Sequence, residues 1–203
     1  MKGFKPNMND LFCNDYNEWT RENKNVFWRH YTRHNFYEFY TSEGYKTLIE
    51  FIVEFNPYTV LDYGCGHNDI SDLLPQHIEC VNYDPYVPKY SEHPNARSDE
   101  QFDLTFCCGV LNCVETDYLD NVIKDLHSLT KKQSHIVLNV FEGSVYNRSL
   151  DVYINKIRTS NLFEIQDQYI DRITTTVMKI NSQNKIRKTE DSQTALFMLL
   201  EAK

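Results

Sequence analysis

The chain has 203 residues, 41% apolar and 14% aromatic, which suits one domain or one domain with an N-terminal extension. A mean hydropathy of −0.57 and the lack of ~18 consecutive apolar residues argue against a membrane protein. The first seven residues, MKGFKPN, lack the apolar core of a signal peptide, so we expect a cytoplasmic protein. The six cysteines form no C-x-x-C pair, which favours free thiols, and we predict no metal site.

The net charge of −8 makes the chain a poor partner for a polyanion, because nucleic-acid affinity depends on neutralising phosphates. A small-molecule or nucleotide-type partner fits this charge better. Residues 21–34 are an exception, because four basic residues there outnumber one acidic residue: Arg21, Lys24, Arg29 and Arg33 against Glu22. A nucleic-acid partner therefore stays open through this basic patch.

Residues 1–57 are interpreted as a helical extension or lid, and residues 58–203 as the main domain. The aromatic and basic run at 27–40 is either a lid over a binding site or an amphipathic helix that packs on the sheet. His30 and His34 lie at i and i+4, a spacing that can ligate a metal, but no third ligand is evident. Both are candidates for a catalytic base.

Helical and extended patterns alternate over residues 42–141. One apolar face and an Asn-Pro stop predict a helix over 42–56. Further helices are predicted at Asp69–Leu74 and Asp117–Leu129, and short apolar runs predict four strands: Thr59–Leu61, Glu79–Tyr83, Phe102–Cys108 and His135–Phe141. Strands separated by helices indicate a doubly wound α/β sheet.

The C-terminal part changes to strand patterns after a helix predicted at Leu150–Arg158. Three strands are predicted there, with a polar connector at Asn181–Asp191: Phe163–Ile170, Ile173–Ile180 and Thr194–Leu200. The whole pattern predicts a seven-stranded, mostly parallel sheet with an antiparallel C-terminal edge.

The turn at Asp62-Tyr63-Gly64-Cys65-Gly66 is the sharpest local pattern. Gly64 permits a tight reversal after the first strand, and Gly66 lets the backbone approach a ligand closely. A dinucleotide site requires G-x-G-x-x-G/A, but position 69 is Asp69, whose charge would repel a pyrophosphate. S-adenosylmethionine has no phosphate and carries an ammonium and a sulfonium, which suit the acidic Asp62. A Rossmann-like turn that has lost its ligand is the alternative.

Asp84 ends the second strand, 22 residues after Asp62. In a βαβ unit this position faces the ribose of a bound nucleoside, whose hydroxyls a carboxylate can bind. The alternative role is that of a turn cap in Asp84-Pro85.

These segments resemble the first two motifs of class I S-adenosylmethionine-dependent methyltransferases, nearest to short bacterial and phage-type members. Residues 102–114, FDLTFCCGVLNCV, resemble the family's fourth strand and its following loop, and the resemblance covers about residues 58–141. It implies a Rossmann-like fold, S-adenosylmethionine as cofactor and direct SN2 methyl transfer. The implied cofactor-binding residues are Asp62, Gly64, Gly66, Asp84, Asp99 near the adenine, and Gly109 beside the methyl group.

The resemblance places Asn112 where it contacts a substrate or satisfies backbone groups of the loop. Asn68 replaces the usual third glycine, and Asn tolerates the left-handed backbone. The fourth strand is not followed by the [DNS]-P-P-[YFW] motif of exocyclic-amino methyltransferases of DNA and RNA, and no Pro-Cys supplies a cytosine-C5 nucleophile. A non-catalytic binding protein on this fold is the remaining alternative.

Overall fold

The computed structural model describes residues 42–66, 69–94, 101–142, 148–180 and 186–203, with the backbone alone for 42–48, 169, 171, 173–180 and 186–193. Three α-helices lie in this part of the chain: α1 (Ser42–Phe55), α2 (Leu119–Leu129) and α3 (Leu150–Ser160). It also contains six strands: β1 (Thr59–Tyr63), β2 (Glu79–Tyr83), β3 (Phe102–Cys108), β4 (Thr130–Phe141), β5 (Phe163–Ile180) and β6 (Ile186–Ala202).

The strands form one sheet in the order β2-β1-β3-β4-β6-β5. The first four are parallel, and β6 runs antiparallel to both β4 and β5. This confirms the predicted α/β class, with a mostly parallel sheet and an antiparallel C-terminal edge. The described residues contain six strands rather than the predicted seven.

The missing strand is explained by β5, which runs unbroken where two strands were predicted. Asp171 and Arg172 interrupt the apolar pattern, but neither is a glycine or proline, and both keep their partners on β6. A register shift between Ile165 and Asp167 is absorbed within the strand. The polar residues 186–191, predicted as connector, belong to β6 for the same reason.

Two apolar layers cover the sheet. On one face α1 contributes Ile52, which is fully buried with Val60, Leu104 and Phe106. On the other face α2 and α3 pack their apolar sides against the strands, and Tyr153 of α3 is 1% exposed. A hydroxyl pair locks β3 to β4 there, since Thr130 Oγ1 lies 2.9 Å from Thr105 Oγ1 and 2.8 Å from the Leu126 carbonyl.

The connection after β1 differs from the prediction. Residues 69–74 form only a 3₁₀ turn at Ser71–Leu73, because Pro75 leaves no room for a longer helix. The chain then returns to β2 on one side of β1, whereas β3 leads to β4 on the other side. The carboxyl ends of β1 and β3 therefore flank the switch point of the sheet, where ligands bind in open α/β folds.

Candidate functional site

The glycine turn after β1 has the geometry that its sequence predicts. Gly64 and Gly66 have φ of +83° and +60°, in the region that favours glycine. The Gly64 and Cys65 N–H groups both donate to the Tyr83 carbonyl at the end of β2, at 2.7 and 3.1 Å. A Cβ at position 64 would overlap Val110 in the loop after β3. Val110 thus packs directly against Gly64, and the two loops are in contact at this point.

Asp84 fixes the turn from the end of β2. Its carboxylate is 4% exposed and accepts the Gly66 N–H at 3.1 Å and the Tyr86 N–H at 2.8 Å. A carboxylate with two backbone donors is held in one orientation. Asp84 therefore joins the end of β2 to the second glycine of the turn.

Asp69 anchors the segment that follows. Its carboxylate accepts hydrogen bonds from Ser71, from Asn82 Nδ2 at 2.8 Å and from the Tyr90 hydroxyl at 2.8 Å, and it lies 3.2 Å from Lys89 Nζ. These donors hold the pKa of Asp69 well below its usual value, with the Ser71 hydroxyl as the largest contributor. Asp69 is an ionised, satisfied group.

Asp62 lies in β1 two residues before Gly64 and is different. Burial, together with the negative charges of Asp84 and Asp69, raises its pKa to about 7. No hydrogen bond reaches its carboxylate from the described residues. A partly buried carboxylate beside two other carboxylates favours a cationic ligand, which would restore its ionised form.

The loop after β3 forms the opposite wall. Gly109 has φ of +71° and donates its N–H to the Asn139 carbonyl of β4 at 2.9 Å. A Cβ on Gly109 would lie 3.5 Å from the Phe141 ring, an ordinary contact. Asn112 is 7% exposed in the 3₁₀ turn Leu111–Cys113, where its Nδ2 lies 3.5 Å from the Cys113 sulfur.

Arg148 holds this loop in place from the segment before α3. Its guanidinium is buried and donates to the Leu111 carbonyl at 3.2 Å and to the Val114 carbonyl. It also lies 5.5 Å from the centre of the Tyr153 ring, a cation–π distance. The loop that carries Gly109, Val110 and Asn112 is thereby tied to the α3 layer.

The structure brings Asp62, Gly64, Gly66 and Asp84 together at one turn, and it places the loop of Gly109 and Asn112 against that turn. Asp99, His30, His34, Asn68 and the basic patch at 21–34 lie outside the described residues. Within the described residues no cluster of three His, Cys, Asp or Glu could hold a metal ion. The helices of that part are also too short or too polar to cross a membrane.

Three contributing residues were not predicted from the sequence: Val110, Asn139 and Arg148. Only Asn139 carries a local signal, because it is the single amide within the apolar run Ile136–Phe141. Val110 and Arg148 act through contacts between segments that are distant in the sequence, and a pattern of neighbouring residues does not report such contacts.

The chain matches a known protein family. Residues 15–172 match the family model described as a methyltransferase domain, which is more than half of the chain. A search of curated proteins found no match. The solved structures below share the fold at low sequence identity.

The N-methyltransferase NodS from Bradyrhizobium japonicum WM9, in complex with S-adenosyl-L-homocysteine, has a TM-score of 0.59 and 11% identity over 89% of this chain and 98% of its own. Magnesium protoporphyrin IX methyltransferase from Synechocystis PCC 6803, with bound S-adenosylmethionine, has a TM-score of 0.53 and 15% identity over 88% and 97%. A 1,6-didemethyltoxoflavin-N1-methyltransferase from Burkholderia thailandensis has a TM-score of 0.54 and 15% identity over 87% and 84%. The chain therefore belongs to the methyltransferase domain family and is an S-adenosylmethionine-dependent methyltransferase with the class I fold.

Proposed function

We propose that this protein transfers the methyl group of S-adenosylmethionine to a small-molecule acceptor in the crevice between the loops after β1 and β3. The single observation that carries this proposal is the carboxylate of Asp62. Its pKa is raised to about 7 by burial and by two neighbouring carboxylates, and no hydrogen bond from the described residues reaches it. Such a group favours an ammonium or sulfonium ligand, because the positive charge stabilises its ionised form.

The residues present fit this cofactor. Gly64 and Gly66 let the backbone of the turn approach a ligand closely, and Gly64 also lets Val110 of the loop after β3 pack against the turn. We assign the methionine end of the cofactor to Asp62 and the ribose to Asp84, which directly follows β2 at the position that faces the ribose in a βαβ unit. Gly109 would line the methyl side.

The bound cofactor supplies an electrophilic methyl group on a positively charged sulfur. The chain's part is to hold that methyl in line with the acceptor, since direct displacement depends mainly on proximity and alignment. The double anchoring of Asp84 and the guanidinium bridge of Arg148 keep the two loops rigid. Asn112 lies in the loop nearest the acceptor side, and we assign it a contact with the acceptor.

A small acceptor is favoured by electrostatics. The net charge is −8, and three carboxylates surround the glycine turn. A polyanion would approach this crevice against repulsion. The structural neighbours act on a didemethyltoxoflavin and on magnesium protoporphyrin IX, which are small molecules.

The test is calorimetric titration with S-adenosyl-L-homocysteine, which keeps the ammonium of the cofactor. We expect wild-type protein to bind it and Asp62→Asn to weaken binding by about tenfold or more, as expected for a lost charge-assisted contact. Asp151→Asn at the exposed start of α3 removes the same charge elsewhere and is the matched control. No binding by wild type, or equal weakening by both variants, would contradict the proposed cofactor site.

A further inference from the structure

The described part of β4 contains a buried polar group that the proposed cofactor site does not use. Asn139 is 6% exposed, and its Nδ2 is fully buried with no hydrogen-bond partner among the described residues. An unpaired buried donor destabilises a protein by the cost of its desolvation, so its presence calls for a reason. Proteins retain such destabilising groups mainly at binding sites.

The position of Asn139 indicates what that reason is. Strand register pairs it with Cys108 of β3 on one side and with Phe197 of β6 on the other. Its own carbonyl accepts the Gly109 N–H at 2.9 Å, which joins it to the loop that lines the crevice. Asn139 therefore lies at the carboxyl end of the parallel strands, beside the proposed methyl side.

Asn139 also lies on the same face of the sheet as Asp62. Asp62 pairs with Phe106, and Phe106 pairs with Val137, which is two residues before Asn139 and on its face. The offset of two strands and two residues corresponds to roughly 12 Å between backbones. An acceptor that contacts Asn139 would lie over the β3 residues between the two, Phe106 and Cys108, which share this face.

The immediate surroundings of Asn139 are aromatic. Phe141 follows two residues later on the same face, and its ring would lie 3.5 Å from a Cβ on Gly109. Phe197 stands directly across on β6. Aromatic walls around one hydrogen-bond donor recognise a flat ring that carries a lone pair.

We infer that Asn139 is an acceptor-positioning residue, whose Nδ2 donates a hydrogen bond to a ring nitrogen or ring carbonyl of a flat aromatic methyl acceptor. This inference rests on the proposed function for the neighbouring cofactor. It identifies the acceptor class as heteroaromatic, with a lone pair beside the atom that receives the methyl group. A substituent without a lone pair at that place would leave the donor unpaired.

The first experiment uses two probes of the same shape. Quinoline carries a ring lone pair and naphthalene does not, and their binding to protein saturated with S-adenosyl-L-homocysteine is compared by ligand-observed NMR at equal concentration. We expect wild type to bind quinoline about tenfold more tightly than naphthalene, and Asn139→Leu to lose that preference. Binding of neither probe, no preference in wild type, or a preference kept by the variant overturns the inference.

The second experiment separates positioning from a structural role. Leu has the same branching and number of side-chain heavy atoms as Asn and has no donor to desolvate, so Asn139→Leu should unfold at the same or a higher temperature than wild type. Thr130→Val is the control, because it removes a buried hydroxyl that is fully paired, and its midpoint should fall by about 2–6 °C. A comparable fall for Asn139→Leu would show a structural amide and overturn the inference.

Titration of the same samples with S-adenosyl-L-homocysteine distinguishes the two proposals. Unchanged affinity in Asn139→Leu is expected, and a loss would place Asn139 in the cofactor site instead. Failure of wild type to bind S-adenosyl-L-homocysteine overturns the proposed function and with it the inference. Binding without a quinoline preference overturns the inference alone.

Discussion

Three aspartates around the glycine turn carry the same formal charge but have different surroundings. The donors on Asp69 lower its pKa, whereas burial and neighbouring charge raise the pKa of Asp62 to about 7. Asp84 differs from both, because its carboxylate accepts hydrogen bonds from two backbone amides. Asp62 is thus the carboxylate suited to bind a cation, and Asp69 and Asp84 stabilise the segments around it.

Binding of S-adenosyl-L-homocysteine should therefore depend on pH through Asp62. Only the ionised carboxylate attracts the ligand's ammonium, and with a pKa of about 7 most Asp62 is protonated at pH 6 and ionised at pH 8. Affinity should rise about tenfold over this interval. Calorimetry at both pH values measures it, and Asp62→Asn should remove most of this dependence, leaving only that of the ligand's own amine. An unchanged slope in the variant would refute the assignment.

The narrow contact at Gly64 gives a second prediction. Gly64→Ala places a Cβ both at φ +83° and against Val110, so we expect a loss of about 1–3 kcal/mol in unfolding free energy and weaker cofactor binding. Urea denaturation measures the loss. The double variant with Val110→Ala relieves the overlap but not the backbone strain. If Val110→Ala recovers none of the loss, the steric part of the explanation is wrong.

At the scale of elements, short contacts between loops hold the site together. The loop at 109–118 has no long helix or strand of its own, and it depends on the Gly109 bond to β4 and on the Arg148 bridge. The planar guanidinium of Arg148 donates to two carbonyls at once, an arrangement that the single ammonium group of a lysine cannot reproduce. The rigidity of the acceptor side is therefore decided by a residue outside the loop.

Arg148→Met should loosen this loop while keeping much of the buried stem volume. The Leu111 and Val114 carbonyls lose their donor, and we expect a loss of about 2–4 kcal/mol in unfolding free energy. Hydrogen exchange should accelerate at 109–118 before other segments. Lys156→Met breaks the exposed ion pair with Asp120 and should cost less than about 1 kcal/mol. Equal losses in both variants would mean that Arg148 is not the anchor of the loop.

The sequence patterns predicted elements well where one residue type dominates a run. The bounds of β2 and β3 match the prediction, because β3 is a mostly apolar run and Asp84-Pro85 marks the end of β2. The predicted break in β5 was wrong, since polar residues on an exposed strand imitate a turn. The segment after β1 that was predicted as a helix forms only a 3₁₀ turn, because Pro75 ends the helical backbone regardless of the apolar pattern before it.

Prediction of the candidate site follows the same logic. Asp62, Gly64 and Gly66 are neighbours in the sequence, so their pattern is visible without a structure. The backbone carbonyl of Asn139 and the guanidinium of Arg148 bond to segments more than 25 residues away. Their roles depend on strand register and loop packing, which short patterns do not encode.

At the scale of the whole molecule, the surplus of negative charge should appear in the pH dependence of stability. The folded state raises the pKa of Asp62, so it binds more protons than the unfolded chain between about pH 4 and 7. This group therefore lowers stability as pH rises through that interval. Asp69 acts in the opposite direction at lower pH. Its pKa is lower in the folded state than in the unfolded chain, so it stabilises the fold at pH values above its unfolded pKa, and this stabilisation is lost on acidification.

Asp62→Asn should consequently be more stable than wild type at pH 8, by about 1–4 kcal/mol, with the difference shrinking toward pH 4. Chemical denaturation at pH 5 and pH 8 measures both differences. If Asp62→Asn is more stable than wild type and also binds the cofactor more weakly, Asp62 serves function and destabilises the fold. A variant less stable than wild type at pH 8 would show that Asp62 supports the fold instead.

The place of β6 in the sheet has a consequence for how the protein is made. β6 comes after every other strand in the sequence, yet it sits between β4 and β5. A ribosome that has just completed β4 must add about 60 more residues before its neighbour exists, which takes roughly 3 to 12 s at ~5–20 residues per second. During that interval the edge of β4 keeps its backbone N–H and C=O groups without a partner strand, so this edge is where the nascent chain is most open to pairing with another chain.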